Sequence, residues 1–178
     1  MPNWCHTSMT IEGPKAEIEG IHMKIKECYQ GLITSMDEEI TARQDEPGIY
    51  YFQVQYDSAW TEKNETLEIV LEKFAPNCDI YYVAEELGYE YYVTNDRNKK
   101  YYANEIIIMS YLEQSNPLYQ KWNAEFGETE YTTRQFLKEK LTKIFGQMPL
   151  SKLIEKAEAI PRTDNENEYV CIYQVQYV

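Results

Sequence analysis

Basic residues are scarce in this chain. Seventeen Lys and Arg stand against thirty Asp and Glu in 178 residues, a formal charge of −13. A general nucleic-acid binder needs a basic face to neutralise phosphates, so direct nucleic-acid binding is not expected. Adsorption to an anionic membrane is disfavoured for the same reason. Histidine is rarer still, with only His6 and His22. Cys5 and His6 are neighbours in a predicted strand and so point to opposite faces. His22 and Cys28, six apart on a predicted helix, stand about 240° apart around it. A nucleophile–base pair would therefore have to assemble across separate elements. The four cysteines (Cys5, Cys28, Cys78 and Cys171) contain no CxxC pair and offer no zinc set. No run approaches the ~20 apolar residues of a membrane span, and no apolar stretch of signal-peptide type follows Met1. The expectation is a protein of the cytoplasm with reduced thiols, no metal, no cofactor and no catalytic set.

What the chain does have is tyrosine, seventeen of them, and alternation. Tyr50, Phe52, Val54 and Tyr56 alternate with Tyr51, Gln53, Gln55 and Asp57, which reads as a strand with one wet face. The chain closes on the same pattern: Cys171, Tyr173, Val175 and Tyr177 alternate with Ile172, Gln174 and Gln176. QVQY thus occurs twice. The flanks do not match, so two half-buried strands are the reading rather than a duplication.

The other elements follow from periodicity. Asn3 to Glu12 reads as a strand, and Pro14 to Tyr29 as a helix with Ile18, Ile21, Ile25 and Cys28 on one face. Thr34 to Gln44 is assigned a short helix, and Asp45 to Gly48 a turn. Leu67, Val70, Leu71 and Phe74 mark a second helix, stopped by Pro76. Asp79 to Glu86 and Tyr89 to Thr94 form a hairpin around Leu87-Gly88. A strand over Tyr101 to Tyr111 carries the apolar run Ile106 to Met109, which suggests a central position. Leu118 and Trp122 lie on a helical segment opened by Asn116-Pro117. Thr132 and Gln135 make a capping box for a helix facing inward with Phe136, Leu137, Leu141, Ile144 and Phe145. Leu150, Leu153, Ile154 and Ala157 give a last helix, and Arg162 to Glu168 a polar loop. The fold class is α+β: a mainly antiparallel sheet with helices on one face. The expected division is a core over 1–113 and a helical extension with a closing strand over 114–178, packed on the same core.

The opening PNWCHTSMTIEGP, with Pro2, Asn3, Trp4, Cys5, Thr10, Ile11 and Gly13, resembles a phage and plasmid family of YubB-type ferredoxin-like proteins. A second match is the helix ending in Phe74 and Pro76, then the hairpin with Glu86 and Gly88. Together they cover about residues 2 to 94. A Trp-Gly pair usual in the family's second strand is replaced here by QVQYDSAW. The resemblance implies a ferredoxin-like core and a mobile-element origin, and no activity.

Two constellations bear on function. With a two-residue loop at Leu87-Gly88, Glu85 would oppose Glu90; a bulged register would pair Glu85 with Tyr89 instead. Such a carboxylate pair suits a divalent ion or acid–base work, but also a simple solvated face. The doublets Tyr50-Tyr51, Tyr81-Tyr82, Tyr91-Tyr92 and Tyr101-Tyr102 place one tyrosine of each pair away from the core. Tyrosine is enriched at interfaces and also suits strands. These features lead to the expectation of a non-catalytic, acidic interaction protein from a phage or other mobile element. It would mimic nucleic acid and inhibit a basic, nucleic-acid-handling protein of its bacterial host, such as a nuclease or nuclease complex, as an anti-CRISPR or anti-restriction protein does. The expected contact residues are Gln53, Gln55, Tyr81, Glu85, Glu90, Tyr92, Gln174 and Gln176. The alternatives are a metal-dependent enzyme or small-ligand module using Glu85 and Glu90, and a phage housekeeping protein.

Overall fold

The computed structural model describes residues 4–28, 33–59, 71–86, 91–161 and 167–178. The chain is α+β and divides into two compact units, Met1–Tyr102 with Gln176–Val178, and Ala103–Val175. The division thus falls after Tyr102 rather than after residue 113, and each unit has its own apolar cluster.

The first unit is built on a seven-stranded sheet. Its strands are β1 (Trp4–Pro14), β2 (Ile33–Met36), β3 (Thr41–Ala42), β4 (Ile49–Ala59), β5 (Asp79–Glu86), β6 (Tyr91–Thr94) and β10 (Gln176–Tyr177). The order is β10-β6-β5-β1-β4-β2, with β3 also on β4; all pairs are antiparallel except β10 with β6. Alternation along β1 and β4 sends Cys5, Met9, Ile11, Phe52 and Val54 to one face. Helix α1 (Lys15–Cys28) packs its buried stripe Ile18, Ile21 and Ile25 into that cluster. Residues 71–74 are helical and contribute Leu71; the rest of the predicted second helix, including Leu67 and Val70, lies outside the described residues. Phe74 does not join the stripe. It is exposed, with the Lys24 ammonium 3.8 Å above its ring. At the end of β1 a Cβ on Gly13 would stand 2.6 Å from Cys78 Sγ and 3.0 Å from Cys78 Cα, so a glycine is needed for the turn to close on the strand.

The helix predicted over Thr34 to Gln44 is not formed. Strands β2 and β3 occupy it, because β4 is long enough to pair with both along its free edge. Asp37 fastens the pair, accepting the Gln53 N–H at 2.8 Å through its side chain and donating its own N–H to the Gln53 carbonyl at 3.0 Å. The hairpin register also differs. Glu85 pairs with Tyr92 and Glu86 with Tyr91, not Glu85 with Glu90 or Tyr89. The two-residue slip from the Glu85–Glu90 register preserves side-chain parity, so Tyr82, Ala84 and Val93 still face the core.

The second unit has a three-stranded antiparallel sheet, β8 (Thr129–Thr132), β7 (Ile106–Tyr111) and β9 (Tyr169–Gln174), with β7 central as its apolar run implies. Tyr101 to Glu105, expected in that strand, lie outside it. Strand β8 was not legible in its short polar sequence. Helices α2 (Tyr119–Asn123), α3 (Arg134–Phe145) and α4 (Leu150–Glu158) bury Trp122, Leu137, Leu141, Leu153 and Ala157 against Ile106, Ile108 and Val170. The cap of α3 is Thr133, whose Oγ1 accepts the Phe136 N–H at 3.4 Å, because Thr132 is held in β8 opposite Ile106. Phe136 is exposed rather than inward, one position off the buried stripe of Leu137 and Leu141. No helix of the described residues is long and apolar enough to cross a membrane.

Candidate interaction face

The face of the large sheet away from α1 carries most of the first unit's organised polar groups. Cross-strand pairing sets them in rows: Asp57, His6 and Glu85; Gln55, Ser8 and Val83; Gln53, Thr10 and Tyr81; Tyr51, Glu12 and Asp79. The last two rows are partly closed by residues 95–102, which follow β6 and act as a strap.

The strap is shaped by two side chains. Asn95 extends the β5 edge, donating to the Ile80 carbonyl at 2.9 Å and accepting the Tyr82 N–H at 2.8 Å. Asp96 is buried, and its carboxylate accepts the backbone N–H groups of Lys100, Tyr101 and Tyr102 at 2.9, 2.7 and 2.9 Å. This turn lays Lys100, Tyr101 and Tyr102 against the sheet. Tyr102 meets Thr10 Oγ1 at 3.1 Å. Tyr101 packs between Tyr51 and Tyr81, with ring centroids 5.7 and 5.3 Å away.

Glu12 is the centre of this arrangement, with only 5% of its side chain exposed. Its carboxylate accepts from Lys100 Nζ, from the Tyr101 hydroxyl at 2.5 Å and from Arg43 at 3.1 Å. Arg43 also binds Asp45, and both cations lie 3.3 Å from Glu46. Burial alone would raise the Glu12 pKa; the donors Lys100, Tyr101 and Arg43 together outweigh it and hold the carboxyl below its usual range. Burial, then the bond to Glu12, pushes the Tyr101 hydroxyl up, and burial brings that of Tyr102 to about 12. A carboxylate engaged by three donors serves to fasten the strap.

The upper rows are open. His6 is 63% exposed, and its Nδ1 lies 2.6 Å from Asp57 Oδ1. Ser8 is next on that face. Gln53 and Gln55 are exposed, with Gln53 Nε2 3.4 Å from Thr10 Oγ1. Glu85 is half-buried opposite His6. Among the described residues no group of three or more His, Cys, Asp or Glu is placed to hold a metal.

Of the residues expected to form a contact surface, Gln53, Gln55, Tyr81 and Glu85 share this face. Tyr81 belongs to the strap's aromatic cluster. Tyr92 is buried, 2% exposed, and is not available as an anchor. Glu90 lies outside the described residues. The four glutamines do not share one sheet: Gln174 ends β9 opposite Ile106 in the second unit, bonded to Arg134 at 3.3 Å, whereas Gln176 is in β10 beside Val93. Glu12, Arg43, Asp96 and Lys100 were missed in the sequence. The available signal was a Lys-Lys-Tyr-Tyr run in a chain short of cations. No protein-family model and no curated protein matches the chain.

Proposed function

We propose that this is a non-catalytic acidic interaction protein of a phage or other mobile element. In this reading it binds and inhibits a basic nucleic-acid-handling protein in the cytoplasm of a bacterial host, a nuclease or nuclease complex. The observation that carries the reading is the open part of the large sheet: adaptable amides at Gln53 and Gln55 stand beside Asp57 and Glu85, on a unit with nineteen acidic and nine basic residues. Neutral hydrogen-bonding groups give such a surface its fit, and the surrounding negative field steers a basic partner to it. The strap gives rigidity, since the groups that would otherwise move are tied to Glu12. The mobile-element origin rests on the PNWC opening. A ferredoxin-like core is supported by the order β5-β1-β4-β2, all antiparallel, with α1 between β1 and β2 and helical residues 71–74 before β5.

The test is capture from a bacterial lysate by the wild-type chain and by the Gln55→Lys, Asp57→Lys double variant, followed by nuclease assays on what is captured. The reading expects a basic nucleic-acid-handling protein that is inhibited by the wild type and lost with the variant, whose fold is unchanged because both side chains lie on the open face. Capture that the variant leaves intact, or a captured protein whose activity is unaffected, removes it.

A further inference from the structure

A cavity lies wholly within the second unit. With a volume of about 310 Å³, it opens between the end of β7, helix α2 and the turn before β8. That volume is near the lower end of ligand pockets and suits one side chain or a small molecule. Its floor is apolar, formed by Leu112 and Phe126, which are 5% and 4% exposed. Its wall and rim carry two tyrosines, Tyr111 and Tyr119, one amide, Asn123, and one carboxylate, Glu128. Among the described residues none of these four side chains makes a hydrogen bond or an ion pair.

Glu128 is distinctive in this respect. The neighbouring carboxylates are matched to cations: Glu105 with Arg134, Glu125 with Lys143 at 2.8 Å, and Glu130 with Lys140. Among the described residues Glu128 has no such cation. Its backbone is nonetheless fixed, because its carbonyl accepts the Ser110 N–H at 2.8 Å and Ser110 Oγ binds the Gly127 carbonyl at 3.2 Å. An unpartnered carboxylate on a fixed stretch of backbone, in one lining with two aromatic rings and an apolar floor, matches a single positive charge on an apolar stem. The rings attract a cation through their quadrupole, the carboxylate through its charge, and the floor takes the methylenes.

The geometry points to this cavity as a binding site for one organic monocation, a guanidinium or ammonium on a short aliphatic stem, as arginine and lysine side chains present it. The site is independent of the sheet face proposed above, and each can fail without the other, since they are read by different amide signals.

The experiment is an amide-resolved NMR titration of the full chain with N-acetyl-arginine methylamide. Its neutral isostere, N-acetyl-citrulline methylamide, is the charge control, and butylguanidinium stands for a free monocation. Saturable shifts confined to residues 110–112 and 119–128, given by arginine and not by citrulline, support the site. Glu128→Gln should weaken binding about three- to five-fold, the range of a partly exposed ion pair. Glu128 is exposed, so the variant keeps its fold. Tighter binding of the capped arginine assigns the site to a polypeptide side chain, and tighter binding of butylguanidinium to a free small-molecule cation. Equal shifts with citrulline, no saturable shift with either cation, or full affinity in Glu128→Gln overturns the assignment.

Discussion

The two units place their cations differently. The second unit has eleven acidic and eight basic residues, a formal −3, and spreads its lysines and arginines one by one: Arg134 to Glu105, Lys140 to Glu130, Lys143 to Glu125. The first unit, nineteen against nine, a formal −10, directs two of its cations to one place. Arg43 and Lys100 both bind Glu12 and both approach Glu46. Concentrating cations under a strap fixes a stretch of chain but leaves much of the surface uncompensated. Spreading them fixes little and keeps the surface near balance. The strongly negative unit is also the one with a buried charge cluster, so the two units differ both in the composition of their charges and in how the cations are distributed.

The largest effect that would break this comparison is loss of its central carboxylate. Glu12→Ala strands Lys100 and Arg43 against the sheet and should destabilise the first unit by about 3 kcal/mol, the low end for breaking a buried pair, since Glu46 remains in reach of both cations. Denaturant unfolding read by tyrosine fluorescence checks it, and a loss below about 1 kcal/mol would mean that the strap is held by its tyrosines alone. Gly13→Ala comes next. Its methyl would meet both the sulfur and the Cα of Cys78, for about 2 kcal/mol of overpacking, visible as a lower Tm with unchanged circular dichroism.

Acid sharpens the comparison further. Because the folded Glu12 pKa lies below its ordinary value of 4.5, its contribution is fully present above that pH and fades as pH falls through the lowered folded value. The stability of the first unit should therefore drop on that acid limb, and Glu12→Gln should flatten it; an unchanged limb in the variant would assign the acid loss to other carboxylates. At the alkaline end the raised Tyr102 pKa has the opposite sign. Its contribution is present below pH 10 and lost as pH rises towards about 12. The smallest effect belongs to the second unit. Lys140→Ala removes one partly exposed ion pair with Glu130, for about 0.5 kcal/mol, and a loss as large as that of Glu12→Ala would erase the contrast between the units.

Much of each core was legible because burial follows local period. Met9 and Ile11, Phe52 and Val54, Ile18, Ile21 and Ile25 all face where alternation or helical spacing sends them. Even the wrong hairpin loop left Tyr82, Ala84 and Val93 on the correct side. The strap was not legible: Glu12 reads as one more solvent-facing acid in an alternating strand, and its partners lie 31, 88 and 89 residues away. The tyrosine doublets suit an interface and a strand alike by sequence, and the structure packs Tyr101 between Tyr51 and Tyr81. The cavity beside Glu128 was hidden likewise, since an unpaired carboxylate is recognised only once its neighbours' partners are known.

The two QVQY stretches separate the two kinds of information. By itself each tetrapeptide determined that its valine would be buried and its glutamines exposed, and Val54 and Val175 are 1% and 6% exposed. That follows from the two-residue period of an extended chain, which any half-buried strand obeys. Tertiary structure alone decided that the first copy runs unbroken through β4 between β1 and β2. It also decided that the second copy divides, with Gln174 ending β9 in one sheet and Gln176 starting β10 in the other. Strand partners are chosen by edges brought together from distant parts of the chain, and four residues carry no record of which edge they will meet.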